Sequence, residues 1–202
     1  MTLDKDKKIL IVGLGLIGGS YAAALSQNGW EVGAIDPDPQ AIAFAEKAGF
    51  IRHGRTEPEA EYVGKFDIVV FALYPHVLLE WLEKYGPWLR DGALATDVTG
   101  VKSGVVERAQ ALLFPRVEFI GAHPMAGREV SGVENARADL FRGANYIVTP
   151  TSANTEEAIT CCEALGRTLG ARNISRLTPK EHDEMIGFLS QLTHCIAVAL
   201  MS

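Results

Sequence analysis

The segment at residues 9–25, ILIVGLGLIGGSYAAAL, places four glycines between an apolar run and an alanine-rich run. Gly13, Gly15 and Gly18 form the pattern G-x-G-x-x-G between a predicted strand and a predicted helix. In this setting the first glycine permits a tight turn, the second lets a pyrophosphate approach the backbone, and the third lets the helix pack against the strand. The free N–H groups at the start of the helix also favour phosphate. Taken alone, the pattern is equally compatible with a glycine-rich turn that binds nothing.

An acidic residue at the expected distance strengthens this interpretation. Asp36 follows a second predicted strand, EVGAI, about 20 residues after the glycines, where a carboxylate accepts hydrogen bonds from adenosine ribose hydroxyls. Its charge repels a 2′-phosphate, and the following PDPQ contains no arginine to receive one, so NAD is favoured over NADP. Asp36 could also cap the turn DPDP while binding ribose. The predicted cofactor-binding residues are Gly13, Gly15, Leu16, Ile17, Gly18, Asp36, Leu73, Pro75 and Val98.

Composition excludes several other classes of protein. The chain has 202 residues, 48% hydrophobic and 22% charged, which indicates one globular domain or one domain plus part of another. A net charge of -6 argues against nucleic acid as a partner. The N-terminal MTLDKDKK has no apolar region, and no window approaches the ~20 apolar residues of a membrane span, so we expect a cytoplasmic protein that does not bind a membrane. Three cysteines, two of them adjacent at Cys161 and Cys162, show no metal-ligand spacing, and we expect no metal.

Short apolar runs alternate with amphipathic stretches along the chain, which is typical of an α/β protein. Strands are predicted at 8–12, 31–35, 67–73, 94–98 and 118–122, and helices at 16–28, 39–48, 76–85 and 101–113. A strand at 145–150, a helix at 155–169 and a strand at 171–177 extend the pattern. DIVVFAL and EFIGA are apolar without alternation, as in strands covered on both faces. The prediction is a doubly wound, Rossmann-type, mostly parallel sheet.

The chemistry of such a fold lies at the carboxyl ends of its strands. Three segments are predicted to end there, FALYPH, TDVTGVK and GAHPMAGRE. In the last of them His123 precedes a proline and a turn of small residues, so its imidazole is expected to face the cofactor crevice. A histidine there could take a proton from a hydroxyl while hydride leaves for a nicotinamide. Spacing alone leaves open a second interpretation, a loop histidine that only holds the turn.

GLGLIGGS, DVTGVK, HPMAGREVSGV, NYIVTP and TPKEHDEMIGFLSQLTH together resemble the prephenate dehydrogenase family of tyrosine biosynthesis, including its arogenate-using relatives, over residues 8–201. The resemblance implies a small-molecule substrate, prephenate or arogenate, and oxidative decarboxylation of prephenate to 4-hydroxyphenylpyruvate with NAD as hydride acceptor. It implies that His123 is the catalytic partner of the substrate hydroxyl. His182, in EHD, resembles the second active-site histidine of the family, and Glu129 and Ser131 match positions near the substrate.

One position departs from the family. The family pattern D-x-x-S-x-K has a serine that hydrogen-bonds the catalytic histidine, and Gly100 occupies that position here. Either the neighbouring Thr99 or a water would then supply the hydroxyl, and Thr99 is included among the predicted catalytic residues.

A helix is predicted after Thr178, because Thr178, Pro179 and Glu181 are an N-cap, a first-turn proline and a capping-box acid. At 100° per residue one face carries Asp183, Gly187, Ser190, His194 and Ala197, and the opposite face carries Met185, Leu189, Leu192, Ile196 and Leu200. Periodicity alone indicates a solvated polar face. The resemblance implies a polar stripe along the substrate cleft, with His194 as a substrate residue, although a structural role for His194 stays open.

The resemblance also implies two domains: a dinucleotide-binding domain at 1–176 and, at 177–202, the first helix of an all-α dimerisation domain, with a homodimer in the full-length enzyme. The final CIAVALMS has no glycine, proline or basic last turn, so the helix does not look finished. In the family, further helices carry an arginine for a substrate carboxylate, and no residue here matches it. We therefore expect a fragment or an incomplete chain. The alternatives are an arogenate dehydrogenase and a module that binds NAD without turnover.

Overall fold

The computed structural model of the chain describes residues 2–192. The first part contains β1 (Lys8–Val12), α1 (Leu16–Gln27), β2 (Glu31–Ile35), α2 (Pro39–Lys47), β3 (His53–Arg55), α3 (Ala60–Val63), β4 (Ile68–Phe71) and α4 (Pro75–Tyr85). The second part contains β5 (Leu94–Asp97), α5 (Val105–Leu113), β6 (Glu118–Pro124), β7 (Asn145–Thr149), α6 (Glu156–Thr168), β8 (Asn173–Arg176) and α7 (Pro179–Ile186). Short 3-10 helices lie at Gly86–Trp88 and Val133–Asn135, and a π-helical segment follows α7 at Gly187–Leu192.

The eight strands form one sheet in the order β3-β2-β1-β4-β5-β6-β7-β8. All neighbouring pairs are parallel except β6 and β7, which are antiparallel. The chain winds outward in one direction from β1 through β2 and β3, and in the other from β4 to β8. The carboxyl ends of β1 and β4 therefore flank the topological switch point, where ligands bind in folds of this kind. The predicted doubly wound, mostly parallel sheet is confirmed.

Both faces of the sheet are buried, and β1 shows why its sequence is apolar without interruption. Ile9 and Ile11 belong to one hydrophobic cluster, and Leu10 and Val12 belong to a second cluster. Successive side chains of a strand point to opposite faces, so each residue of β1 must be apolar to enter one of the two cores. All four are at most 2% exposed.

The structure corrects several predicted boundaries. β3 and α3 were missed because they have three and four residues, and HGR in β3 is an edge segment without an apolar run. The helix predicted at 101–113 begins at Val105, because its N-cap Gly104 has a φ of 74° and the backbone leaves helical geometry there. β6 extends to Pro124, two residues beyond its predicted end, because Pro124 and the residue before it pair with β7.

The predicted helix at the end of the chain is right at its start, and its type changes from α to π after Ile186. The side-chain oxygen of Thr178 accepts from the N–H of Glu181, and the carboxylate of Glu181 accepts from the N–H of Thr178, which is a capping box. The α-helical geometry stops at Ile186, and a π-helix follows at Gly187–Leu192, so a spacing of 100° per residue does not apply to that segment. His194 and the rest of the predicted helix after residue 192 lie outside the described residues. The proposed domain boundary after residue 176 remains a prediction.

Within residues 2–192 we find no helix with the length and apolarity needed to cross a membrane.

Candidate functional site

The glycine turn between β1 and α1 has two positions that exclude a side chain and one that faces open space. Gly13 has a φ of 96°, and a Cβ added there would lie 2.5 Å from the carbonyl oxygen of Ala72 at the end of β4. A Cβ on Gly18 would lie 1.9 Å from the carbonyl oxygen of Gly13. A Cβ on Gly15 would meet no atom within 4 Å. Gly13 and Gly18 therefore serve packing, whereas Gly15 leaves the backbone open to a ligand.

This turn opens onto a cleft made of two adjoining cavities of about 580 and 670 Å³, which share Gly15, Asp36 and Gly132 in their walls. The larger cavity brings together every predicted cofactor-binding residue: Gly13, Gly15, Leu16, Ile17, Gly18, Asp36, Leu73, Pro75 and Val98. The smaller cavity continues from Asp36 along the start of α2 to Phe44. The cleft thus spans the switch point, where a dinucleotide lies extended across the strand ends.

Asp36 is held between the glycine turn and the turn that precedes α2. One carboxylate oxygen accepts from the N–H of Leu14 at 2.6 Å, and the other accepts from the N–H of Asp38 at 2.9 Å. A carboxylate has about four acceptor sites, so two remain for ribose hydroxyls. The open backbone at Gly15 and this preorganised acceptor fit a dinucleotide. The predicted capping of the DPDP turn by Asp36 is present in the bond to Asp38.

Two histidines and a carboxylate form a chain of hydrogen bonds at the end of β6. Nδ1 of His123 lies 2.9 Å from Nε2 of His182, the first buried histidine of α7. Nδ1 of His182 lies 2.8 Å from Oδ1 of Asp183. The His182 ring is fully buried, and His123 is partly exposed. Of the two histidines, His123 is therefore the one that an outside molecule can reach.

Burial and nearby charges determine the protonation of His123, His182 and Asp183. Burial, the positive charge of Lys102 and the neighbouring His182 lower the pKa of His123 from 6.5 to about 4. Burial also lowers the pKa of His182. Burial raises the pKa of Asp183, but hydrogen bonds from His182 and Ser103 outweigh it and bring the value to about 2. At neutral pH both imidazoles are neutral and the carboxyl group is ionised.

A buried ion pair fixes the backbone beside His123. Nζ of Lys102 lies 2.7 and 2.6 Å from the two carboxylate oxygens of Asp97, and both side chains are fully buried. The same ammonium donates to the carbonyl oxygen of Ala122 at 2.6 Å, and the N–H of Ala122 donates to Asp97 at 3.0 Å. Burial lowers the pKa of Lys102, and the charge of Asp97 opposes this change. Because both polar groups of Ala122 are held, the position of the next residue, His123, is fixed.

Thr99 does not fill the role predicted for it. Its hydroxyl contacts the carboxylate of Asp97, lies 2.8 Å from the carbonyl oxygen of Val101 and accepts from Nζ of Lys102 at 3.3 Å, so its hydrogen bonds are made with groups other than His123. Gly100 faces the imidazole instead, since a Cβ added to Gly100 would lie 3.7 Å from Cε1 and 3.8 Å from Nε2 of His123. Thr99 is therefore not the hydroxyl partner of His123, because the ion pair has already engaged it.

Residues 21–175 match the family described as the nucleotide-binding domain of prephenate dehydrogenase. The chain belongs to the prephenate dehydrogenase family. It is 36% identical over 201 residues to the prephenate dehydrogenase of Lactococcus lactis subsp. cremoris, covering 96% of this chain and 53% of that protein.

Two solved structures show the same fold. The prephenate dehydrogenase of Aquifex aeolicus, in complex with hydroxyphenyl propionate and NAD+, has a TM-score of 0.88 and 30% identity, covering 99% of this chain and 70% of that chain. The arogenate dehydrogenase of Synechocystis has a TM-score of 0.88 and 30% identity, covering 96% of this chain and 68% of that chain. This chain spans about half the length of the curated relatives that it matches.

The remaining predicted substrate residues are distributed unevenly. Ser131 lines the larger cavity, beside the glycine turn. Glu129 is exposed and does not line either cavity of the cleft. His194 lies outside the described residues, so its predicted role is not addressed. Within residues 2–192, no group of three His, Cys, Asp or Glu side chains is arranged to hold a metal ion.

Sequence reasoning missed three residues that organise the site: Asp97, Lys102 and Asp183. The first and second are the outer positions of the family pattern D-x-x-S-x-K, in which attention fell on the serine position. The third follows His182 directly in EHD. The motifs contained the signal, but only the folded chain shows that Asp183 hydrogen-bonds His182 while Asp97 and Lys102 hold the backbone of Ala122 beside His123. Arg128, which lines the larger cavity, was also not predicted.

Proposed function

We propose that this chain is the NAD-binding part of an enzyme that converts prephenate to 4-hydroxyphenylpyruvate by oxidative decarboxylation. The observation that carries the proposal is a partly exposed neutral histidine, His123, which is hydrogen-bonded to His182 and faces Gly100, a residue that lines the cleft with dinucleotide-binding features. Membership of the prephenate dehydrogenase family supports the same reaction. The structure of the Aquifex aeolicus relative with NAD+ supports the choice of cofactor.

The residues of the cleft divide between the parts of NAD. Gly15 and the N-terminus of α1 would receive the pyrophosphate, and Asp36 would accept from the adenosine ribose hydroxyls. Leu73, Pro75 and Val98 would line the nicotinamide half of the cleft. When bound, NAD+ supplies the hydride acceptor for the reaction. The carboxylate of Asp36 disfavours the extra phosphate of NADP, because it would place two negative charges together.

The role of His123 in this reaction is to hold a proton temporarily. As the substrate C4–H bond gives up its hydride, the C4 hydroxyl becomes a carbonyl and its proton moves to His123. The bond from C1 to the ring carboxylate then breaks and releases CO₂. Its electron pair flows through the ring, which becomes aromatic, and the C4 oxygen takes back a proton as a phenol. Since the proton returns, the residue acts as a general base and then as a general acid.

Arogenate is the second candidate substrate. The likeness to the Synechocystis arogenate dehydrogenase, at the same TM-score and identity as the Aquifex aeolicus enzyme, favours considering it. Arogenate carries an amino acid side chain in place of the pyruvyl group, and the chemistry at the ring is unchanged. The two candidates therefore differ in substrate recognition and not in the role of His123.

A calorimetric titration of the 202-residue chain with NAD+ and with NADP+ tests the cofactor assignment. We expect NAD+ to bind more tightly, and equal affinities would contradict the role of Asp36. Turnover is tested in a longer chain that includes the C-terminal helices implied by the resemblance, by NADH absorbance with prephenate and, separately, with arogenate. His123→Asn should leave NAD+ affinity unchanged and lower kcat by ~10²-fold or more, as for loss of a general base. NAD+ binding without turnover of either substrate would favour the alternative interpretation, a module that binds NAD without catalysing a reaction.

We also propose that the enzyme is a cytoplasmic homodimer. Phe188, just after α7, is 70% exposed, and we propose that another subunit covers it in the dimer. Sedimentation velocity over a range of concentrations would measure the association. A monomer at every concentration would contradict a dimer formed through the described residues, and cell fractionation would test the location.

A further inference from the structure

We infer that Asp183 is a positioning residue that acts through His182 to set which nitrogen of His123 carries the proton. In this arrangement Nδ1 of His123 is protonated, and Nε2 is bare and ready to accept a proton. The inference deepens the proposed function, because it rests on His123 as the group that receives the substrate proton. Its observable consequence, the tautomer of His123, can be measured without turnover.

The direction of the hydrogen bonds begins at Asp183. Its Oδ1 accepts from the backbone N–H of Lys102 at 2.9 Å, and its Oδ2 accepts from the N–H of Ser103 at 2.8 Å. A backbone N–H only donates, so both carboxylate oxygens are already committed as acceptors. An ionised carboxylate has no proton to give. Nδ1 of His182, 2.8 Å from Oδ1, must therefore carry a proton and donate it.

The same logic passes along the chain to His123. A neutral imidazole carries one N–H, so protonation of Nδ1 leaves Nε2 of His182 as an acceptor. Its partner at 2.9 Å is Nδ1 of His123, which must then be the donor. Because the His123 ring is also neutral, its Nε2 carries no proton. This nitrogen lies 3.8 Å from the position of a Cβ on Gly100, a residue that lines the larger cavity of the cleft.

Other charged groups around His123 do not supply this ordering. The charge of Lys102 faces the ring and disfavours any added proton, whereas Asp97 is occupied by that lysine. Among these groups, the structure gives a hydrogen-bonded connection to a ring nitrogen of His123 only through His182 and Asp183. When Nε2 accepts a proton, the resulting cation donates through Nδ1 into a chain that ends in a negative charge. Such a chain orients the ring and stabilises the imidazolium without itself being protonated.

A purely structural role for Asp183 is the competing explanation, because its bonds to Lys102 and Ser103 also join α7 to the segment before α5. The two roles are separated by ¹⁵N NMR of the 202-residue chain labelled at its five histidines, at pH 7. Long-range proton–nitrogen correlations distinguish a bare ring nitrogen from a protonated one. His123→Gln and His182→Gln spectra assign the two rings.

We expect the wild-type chain to show a bare Nε2 and a protonated Nδ1 at His123. In Asp183→Asn the amide can donate to His182 as well as accept, so the Nε2 signal of His123 should move toward the position of a protonated nitrogen. Glu184→Gln is the matched control. It removes one negative charge from the adjacent residue of α7, whose carboxylate lies on the surface 3.8 Å from Lys180, and should leave the His123 signals unchanged.

A protonated Nε2 at His123 in the wild-type chain would overturn the inference, as would an Asp183→Asn spectrum identical to wild type at His123. If Asp183→Asn does not fold, His182→Gln carries the test, because it breaks the chain and keeps the carboxylate that holds Lys102 and Ser103. Retention of the single wild-type tautomer in that variant would equally refute the role. Failure of the proposed function looks different: NAD+ or the substrates would not bind or react, while the tautomer result would stand.

Discussion

Replacing either Gly18 or Gly15 of the glycine turn by alanine should separate the effect of packing on stability from the effect of ligand access on NAD+ affinity. In Gly18→Ala the new Cβ would lie 1.9 Å from the carbonyl oxygen of Gly13 and 2.9 Å from Cβ of Ala72, and real Cβ atoms essentially never lie within 3.0 Å of such atoms. The start of α1 must move away from the turn to relieve the contact with Gly13. Overpacking of this kind costs about 1–3 kcal/mol. For a chain of this size each kcal/mol lowers Tm by about 2–4 °C, so we expect a fall of about 2–12 °C.

Gly15→Ala should behave in the opposite way. Its φ of -74° and ψ of -164° suit alanine, and the added methyl group meets no protein atom within 4 Å. Alanine is a poorer N-cap than glycine, so the cost in stability is limited to about 1 kcal/mol or less. The methyl group occupies the space through which a pyrophosphate would approach, so we expect NAD+ affinity to fall about tenfold or more, equivalent to about 1.4 kcal/mol.

Thermal unfolding by circular dichroism and calorimetric titration with NAD+ measure the two effects on the same samples. We expect Gly18→Ala to show the larger loss of Tm and Gly15→Ala to lose more NAD+ affinity than its small loss of stability would explain. A Gly18→Ala protein that melts with the wild type would show that the turn relaxes at no cost. A Gly15→Ala protein that binds NAD+ as tightly as the wild type would refute the placement of the pyrophosphate at this backbone.

Three further predictions concern the surroundings of His123. Because its pKa is about 4 in the folded chain and 6.5 ordinarily, the unfolded state binds the extra proton between these values. The neutral His123 therefore contributes to the free energy of unfolding above pH 6.5, and this contribution is lost as the pH falls, by about 3 kcal/mol at pH 4. Urea titrations at the two pH values should show a smaller loss of stability in His123→Asn than in the wild type. Equal losses in the two proteins would contradict the lowered pKa. Lys102→Met leaves the buried Asp97 charge without its partner and should lower the free energy of unfolding in urea by about 3–5 kcal/mol. A double variant that also carries Asp97→Asn should recover part of this lost stability. No loss in the single variant would contradict a charged pair. Gly100→Ser fits at ordinary contact distance from His123 and should leave Tm unchanged while shifting the ¹⁵N signal of Nε2, and an unshifted signal would place the new hydroxyl elsewhere.

The parts of the fold that could be predicted from the sequence are those in which the type of each residue is dictated by its local burial or its local contacts. In β1 every side chain enters one of two cores, so an unbroken apolar run indicates a strand covered on both faces. At Gly13 and Gly18 the absence of a side chain is required by contacts within one turn and with the adjacent strand. These constraints are local or repeat along one element, and pattern reasoning finds them.

The site, in contrast, depends on contacts between residues that are far apart in the sequence. His123 and His182 are 59 residues apart in the chain and meet only because α7 returns to the end of β6. Thr99 was expected to face His123 from its position in the motif, but the buried Lys102 and Asp97 draw its hydroxyl inward. The change from α-helix to π-helix after Ile186 likewise has no signal in a periodicity counted at 100° per residue. The motifs point to the histidines of the site, whereas the ion pair and the carboxylate that hold them are identified by the packing of distant segments.

Charges of opposite sign act on His123: that of Lys102 disfavours its imidazolium form, and those of Asp97 and Asp183 favour it. Lys102 and burial hold the pKa of His123 down, so the ring is neutral and can accept a proton at neutral pH. With only burial and the charge of Lys102 acting on it, the ring would be a weaker base, because nothing would stabilise its imidazolium form. Asp183 places a negative charge at the far end of the hydrogen-bonded chain, where it favours the imidazolium through His182. The ammonium of Lys102 is hydrogen-bonded to Asp97 and to the carbonyl oxygen of Ala122, so it acts on His123 through its charge. The strength of the base is therefore set jointly by the ion pair before α5 and the carboxylate on α7, two groups on elements that the fold brings together at the end of β6.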